Sequence, residues 1–201
     1  MVRTIIFDMG RVIIPFDFQF AYDRLSPLCN IEAGTIKERM WACDLPYRLE
    51  SGKITPEEFR AGICKLLSFS CEEHEFHDIF GSIFLPETLL NKEFLQALRS
   101  RYRLLLLSNT NAIHWPFVQK HYPELQHFDQ HILSFEVGAT KPEPEIYAAA
   151  LNAANCEPSE CFFTDDIPAY VEAARTHGID AVVFENAEQI QRELRARGVD
   201  W

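Results

Sequence analysis

The chain has 201 residues, 47% hydrophobic and 12% aromatic, and a formal net charge of −11 from 30 acidic against 19 basic side chains. That length and apolar content fit one folded unit, or one core with a small inserted module, and exclude a disordered acidic tail. So acidic a surface disfavours nucleic acid and anionic membrane, whose phosphates need clustered Lys and Arg, and any phosphate ligand must be met by a local reversal of charge.

Taken in chain order, Thr4-Ile5-Ile6-Phe7 is a short β-branched and aromatic run bounded by Asp8 and Gly10, which predicts a buried strand ending in a turn. Similar runs recur at Arg103–Leu107, leading into Ser108-Asn109-Thr110, and at His131–Phe135, leading toward Gly138. Two more lie at Cys161–Thr164, before Asp165-Asp166, and at Ala181–Phe184. Helical patterns separate them at Lys92–Arg99, Ile113–His121, Glu145–Ala154 and Ala169–Thr176, and a last helix over about 188–197 starts from a cap at Asn186. Continuous apolar strands alternating with helices predict an α/β fold with a parallel sheet covered on both faces.

The stretch 16–85 breaks this rhythm. It contains helical segments and no convincing strand, and one segment opens with Thr55-Pro56-Glu57-Glu58, a cap with proline at the first helical position and a glutamate three residues after the cap. It reads as a helical insert. The expected division is a core of 1–15 and 86–201 with an inserted all-helical cap of 16–85.

Four polar clusters lie after strands or in the loops beyond them: Asp8-Met9-Gly10, Ser108-Asn109, Lys141-Pro142 and Asp165-Asp166. Ligands of open α/β sheets bind beyond the carboxyl ends of the strands, so clusters far apart in the chain can converge there. Carboxylates crowded in one place call for a hard cation, and Mg²⁺ binds both carboxylate and phosphate oxygens. The six cysteines include no C-x-x-C pair, no apolar N-terminal segment reads as an export signal, and no run approaches the roughly 20 residues that span a bilayer. The expected setting is a reducing cytoplasm.

The motifs Phe7-Asp8-Met9-Gly10, Leu107-Ser108-Asn109-Thr110, Gly138 to Tyr147 around Lys141-Pro142, and Phe163-Thr164-Asp165-Asp166 resemble, in order and separation, those of the haloacid dehalogenase superfamily. Within the insert, Glu50-Ser51-Gly52-Lys53-Ile54-Thr55-Pro56-Glu57-Glu58-Phe59 resembles the cap hinge of a subgroup that includes bacterial glucose-1-phosphate phosphatases and the phosphatase domain of soluble epoxide hydrolases. The resemblance covers nearly the whole chain. It implies a Rossmann-like core with a small helical cap, and a Mg²⁺-dependent phosphatase acting on a small phosphorylated metabolite such as a hexose 1-phosphate. Asp8 would form an aspartyl-phosphate. Asp8, the Gly10 carbonyl and Asp166 would bind the metal, with Asp165 ligating directly or through water. The Ser108 hydroxyl and the Asn109 backbone N–H would bind phosphate, and Lys141 would offset developing charge and hold Asp8. Expected partners include neither nucleic acid nor membrane, and the expected assembly is a monomer or weak homodimer.

One position departs from the pattern. Phosphatases of this superfamily usually carry a second aspartate two residues after the nucleophile, as general acid and base; here that residue is Gly10. The glucose-1-phosphate phosphatases that the chain resembles share this glycine. Two alternatives therefore stand beside the phosphatase: a haloacid dehalogenase, whose halide needs no proton, and a catalytically weak, phosphate-binding regulatory protein. Asp17 is a candidate stand-in, though capping the first helix of the insert is its simpler role. His114 and Glu50 are weighed as substrate contacts and Trp41, Tyr47 and Phe84 as lining of the cleft between insert and core, but packing and hinge structure are the expected roles of the first two and core packing that of the three aromatics. Cys71, His74 and His77 have a metal-like spacing but read as part of a solvated acidic helix face.

Overall fold

A computed structural model describes all residues, 1–201. Five parallel strands form one sheet in the order β3-β2-β1-β4-β5: β1 Thr4–Phe7, β2 Arg103–Ser108, β3 Gln130–Leu133, β4 Cys161–Asp165 and β5 Asp180–Val183. Side chains alternate between its faces. Ile5, Phe7, Leu104, Leu106 and Phe162 enter one apolar cluster, while Ile6, Leu105, Leu107 and Phe163 enter the other. Both faces bury hydrocarbon, so the strands carry unbroken apolar runs.

Helices cover each face. α6 Lys92–Arg99, α7 His114–His121 and α11 Ala187–Ala196 pack Leu95, Val118 and Ile190 on the first. α9 Pro144–Ala154 and α10 Pro168–Thr176 pack Tyr147 and Val171 on the second. The expected cap at Asn186 forms, its side chain accepting the Gln189 N–H at 2.9 Å.

Between β1 and α6 lie five helices: α1 Gln19–Cys29, α2 Ala33–Ala42, α3 Leu45–Glu50, α4 Pro56–Leu67 and α5 Glu73–Gly81. They carry an apolar cluster of their own, centred on Leu25, Ile36, Phe59, Ile63 and Phe76. Thr55 and Glu58 form the expected capping box at the start of α4. The β-type pairings here are two isolated bridges, Gly10 to Ile14 just after β1 and Phe16 to Phe84 where the chain leaves and re-enters the sheet layer.

One expected element differs. The third strand stops at Leu133, and Ser134–Val137 forms a short helix, α8, ended by Gly138 at φ +84°. The Ser134 hydroxyl accepts the Thr110 N–H and donates to the Thr110 carbonyl, so a bond to the neighbouring loop replaces strand pairing.

Candidate active site

Register places the carboxylates. Phe7 pairs with Thr164, and the Asp8 N–H donates to the Thr164 carbonyl at 3.0 Å, so Asp8 and Asp165 leave adjacent strands side by side at the carboxyl edge. Lys141 reaches them from the loop between α8 and α9. Its ammonium donates to Asp8 Oδ1 at 2.7 Å, Asp165 Oδ2 at 2.5 Å and the Leu107 carbonyl at 3.0 Å. All three donors are spent, as burial of an ammonium requires. Asn109 fixes the same lysine by its backbone, accepting the Lys141 N–H at 2.7 Å through Oδ1 and donating to the Lys141 carbonyl at 3.0 Å through Nδ2.

Asp8, Asp165 and Asp166 bring one oxygen each within 4.8 Å of the others. Three carboxylates against one ammonium leave an excess of negative charge. Burial raises Asp8 to about 7; Lys141 opposes this and Asp165 adds to it. Asp166 is likewise raised, by burial and then by Asp165. For Lys141 burial acts downward, but the two carboxylates outweigh it and hold the ammonium above the usual lysine range. A converging all-oxygen set with surplus negative charge is the donor chemistry that suits a hard divalent cation. Cys71 precedes α5, so the Cys71, His74 and His77 run does not share a helix face, and the aspartate trio is the one group with ligand atoms in mutual reach.

Asp8, Gly10, Asn109, Lys141 and Asp166 line a single cavity of about 400 Å³. Asp165 lies fully buried at its edge, both oxygens already engaged, Oδ1 by the Ile167 N–H at 2.9 Å. Ser108 does not line the cavity; its hydroxyl is buried without a partner. Asp17 is exposed and lines no part of this cavity, and its Oδ1 accepts the Gln19 N–H at the start of α1, the structural role expected of it.

Four further residues at this site exceed or escape the sequence reading. Arg11 adds a cation to the cavity wall, and Tyr170 adds a hydroxyl that meets Asn109 Nδ2 at 3.5 Å. Glu50, half-buried at the end of α3, lines the cavity as well as standing in the hinge. Burial pushes its carboxyl to about 7, with Lys141 opposing. Trp41 also lines the cavity and is 75% exposed, so it is not a core residue. Arg11 beside Gly10, the hinge motif around Glu50 and the aromatic character of Trp41 within the insert were the available signals; Tyr170 had none.

A match to the haloacid dehalogenase-like hydrolases spans residues 2–178. The chain belongs to this family. It is 28% identical over 200 residues to the D-ribitol-5-phosphate phosphatase of Bacteroides thetaiotaomicron, covering 96% of this chain and 97% of that relative. A crystal structure of a family enzyme from the same species, in complex with magnesium and inorganic phosphate, matches with a TM-score of 0.81 at 28% identity, over 93% of this chain and 96% of that one. Mouse bifunctional epoxide hydrolase 2 is 39% identical over 69 residues, which are 34% of this chain and 12% of the relative. In this haloacid dehalogenase-like hydrolase no helix is long and apolar enough to cross a membrane.

Proposed function

We propose that this hydrolase is a Mg²⁺-dependent phosphatase that cleaves a small phosphate monoester through an aspartyl-phosphate on Asp8. The observation that carries the reading is Lys141 clasped between Asp8 and Asp165, with Asp166 completing an oxygen trio at the sheet's carboxyl edge. The near full-length likeness to a sugar-alcohol phosphate phosphatase supports it.

Asp8, Asp166 and the Gly10 carbonyl would hold Mg²⁺, with Asp165 behind them; bound there, the cation neutralises phosphate charge as a Lewis acid. Lys141 anchors Asp8 Oδ1 and leaves the other oxygen for attack. That oxygen bonds to phosphorus as the ester P–O bond breaks, and the departing oxygen takes up a proton. Water then attacks phosphorus, releasing inorganic phosphate and restoring the carboxylate. The Asn109 N–H would donate to phosphate oxygens, and the orphan Ser108 hydroxyl, buried outside the cavity lining, would join it only on rotating toward the cavity. Glu50 moves the proton. It is the remaining uncommitted carboxyl on the cavity wall, and a carboxyl held near neutrality can both give and take one. The insert of 16–85, acting as a cap on the core of 1–15 and 86–201, brings Glu50 to the site.

The test is phosphate release from 4-nitrophenyl phosphate and a panel of metabolite esters, with and without Mg²⁺. Release that requires Mg²⁺ and is abolished by Asp8→Asn is expected; no release from any ester with Mg²⁺ present overturns the reading.

A further inference from the structure

A second cavity, also of about 400 Å³, adjoins the first; Phe18, Trp41, Glu50, His114 and Tyr170 line both. The first holds the chemistry, so the second is the room left for whatever the phosphate is attached to. Its wall is mainly hydrocarbon: ten of its fourteen lining residues are hydrophobic, among them Phe18, Met40, Leu49, Phe59 and Phe80.

The polar atoms of that wall are largely spent on the protein itself. Asn111 Oδ1 accepts the N–H groups of Ile113 and His114, and its Nδ2 donates to His114 Nδ1 at 3.0 Å. His114 Nε2 is buried without a partner, in a ring set among Phe18, Phe80 and Phe84. The Tyr47 hydroxyl donates to Glu143 and accepts from Lys53 at 2.9 Å. The Cys43 thiol donates to the Met40 carbonyl. What remains is the Glu50 carboxyl, the hydroxyls of Tyr22 and Tyr170, and the His114 Nε2–H, itself ringed by Phe18, Phe80 and Phe84. A sugar or polyol carries a hydroxyl on almost every carbon, and each one buried against this wall without a partner loses its hydrogen bonds to water. Trp41 and Tyr47 at the same cavity are 75% and 42% exposed, an apolar rim that an apolar ligand would cover.

We propose that the alcohol this enzyme releases is predominantly apolar, an aryl or branched hydrocarbon body seated among Phe18, Met40, Trp41, Phe59 and Phe80, with its single esterified oxygen facing Glu50. The proposal rests on the phosphatase reading and departs from the substrate class of the ribitol-phosphate relative. In the reaction the ester oxygen keeps the electrons of its broken bond to phosphorus, gains one proton and leaves as the alcohol, while phosphorus passes to Asp8 and then to water.

The experiment compares primary-alcohol esters of matched leaving-group acidity: branched alkyl and arylalkyl phosphates against ribitol 5-phosphate, with Mg²⁺. The expected kcat/KM is about tenfold or more higher for the apolar esters. Trp41→Ser, at an exposed position that folding does not depend on, is expected to raise KM for them severalfold. The same esters are titrated calorimetrically into Asp8→Asn protein, which reads the preference without turnover. Ribitol 5-phosphate equal or better in both measurements overturns the proposal. Tight, selective binding of apolar esters with no turnover by the wild type upholds the pocket assignment and overturns the phosphatase reading instead.

Discussion

A Cβ on Gly10 would lie 2.7 Å from Cε1 of Phe16. The volume that a side chain at position 10 needs is therefore filled by an aromatic ring. That ring packs edge-on against Phe18 and Phe84 and lies under the Arg11 guanidinium, 5.1 Å from its centroid. The missing acid of this hydrolase is thus a packed surface, which single substitution does not undo.

Gly10→Asp is accordingly expected to lower stability by about 1–3 kcal/mol, the usual cost of overpacking, and not to raise kcat. Gly10→Asp combined with Phe16→Ala should recover activity relative to Gly10→Asp alone. Chemical denaturation and steady-state kinetics on the three proteins check both statements.

Glu50→Gln removes the proposed proton carrier. Phosphate release from alkyl esters should fall by about 10²–10⁴, and release from 4-nitrophenyl phosphate much less, because nitrophenolate leaves without a proton. Stability gives an independent readout. The carboxyl sits at about 7 in the folded chain against an ordinary 4.5, so the folded state holds its proton more tightly. That contribution is fully present below about pH 4.5 and is lost as pH rises through 7. Glu50→Gln should therefore gain stability relative to wild type between pH 5 and pH 8, read as a difference in urea midpoints.

His114 works in the opposite sense. Burial lowers its ring from 6.5 to about 4, so the neutral form is the folded one, with Nδ1 accepting from Asn111. Its contribution is complete above about pH 6.5 and is lost as pH falls toward 4. His114→Phe should flatten that part of the acid limb, measured as the wild-type-minus-variant difference in unfolding free energy at pH 7 and pH 5.

Lys141→Met leaves Asp8 and Asp165 buried without their common cation. Stability should drop by about 3–5 kcal/mol at neutral pH, the cost of an uncompensated buried charge, together with loss of turnover. Asn109→Ala, which cuts the two bonds to the Lys141 backbone and the Nδ2 contact with the Tyr170 hydroxyl but leaves the Lys141 ammonium in place, should have a smaller effect on both. Thermal melts separate the two.

Mg²⁺ titration should raise the melting temperature of wild type by mass action, since a ligand of the folded state alone stabilises it. Asp166→Asn should blunt that rise while Asp17→Asn, remote from the oxygen trio, leaves it intact.

Much of the fold and part of the site could be read from the chain. The strands β1, β2 and β4 are legible because burial on both faces demands unbroken apolar runs, and Asp8 and Asp165 stand out as charges at the ends of such runs, whereas Lys141, in the loop between α8 and α9, is marked only by the Gly138 to Tyr147 motif around it. Ser134 was illegible as a helix start because its loop bond to Thr110 is a contact 24 residues away. Phe16 closing position 10, and Trp41 and Tyr170 meeting across a cavity, are equally products of tertiary packing. Their side-chain directions depend on how the insert lies on the sheet, which no local period encodes.

The residues that build the apolar wall come almost wholly from the helices between β1 and α6, whose hydrocarbon cluster is separate from the two that sandwich the sheet. Asp8, Lys141 and Asp165 are held by the sheet and its loops. Divergence can therefore rewrite Met40, Trp41 or Tyr47 one at a time and change what the protein accepts, while the hydrogen bonds that aim the nucleophile are inherited untouched.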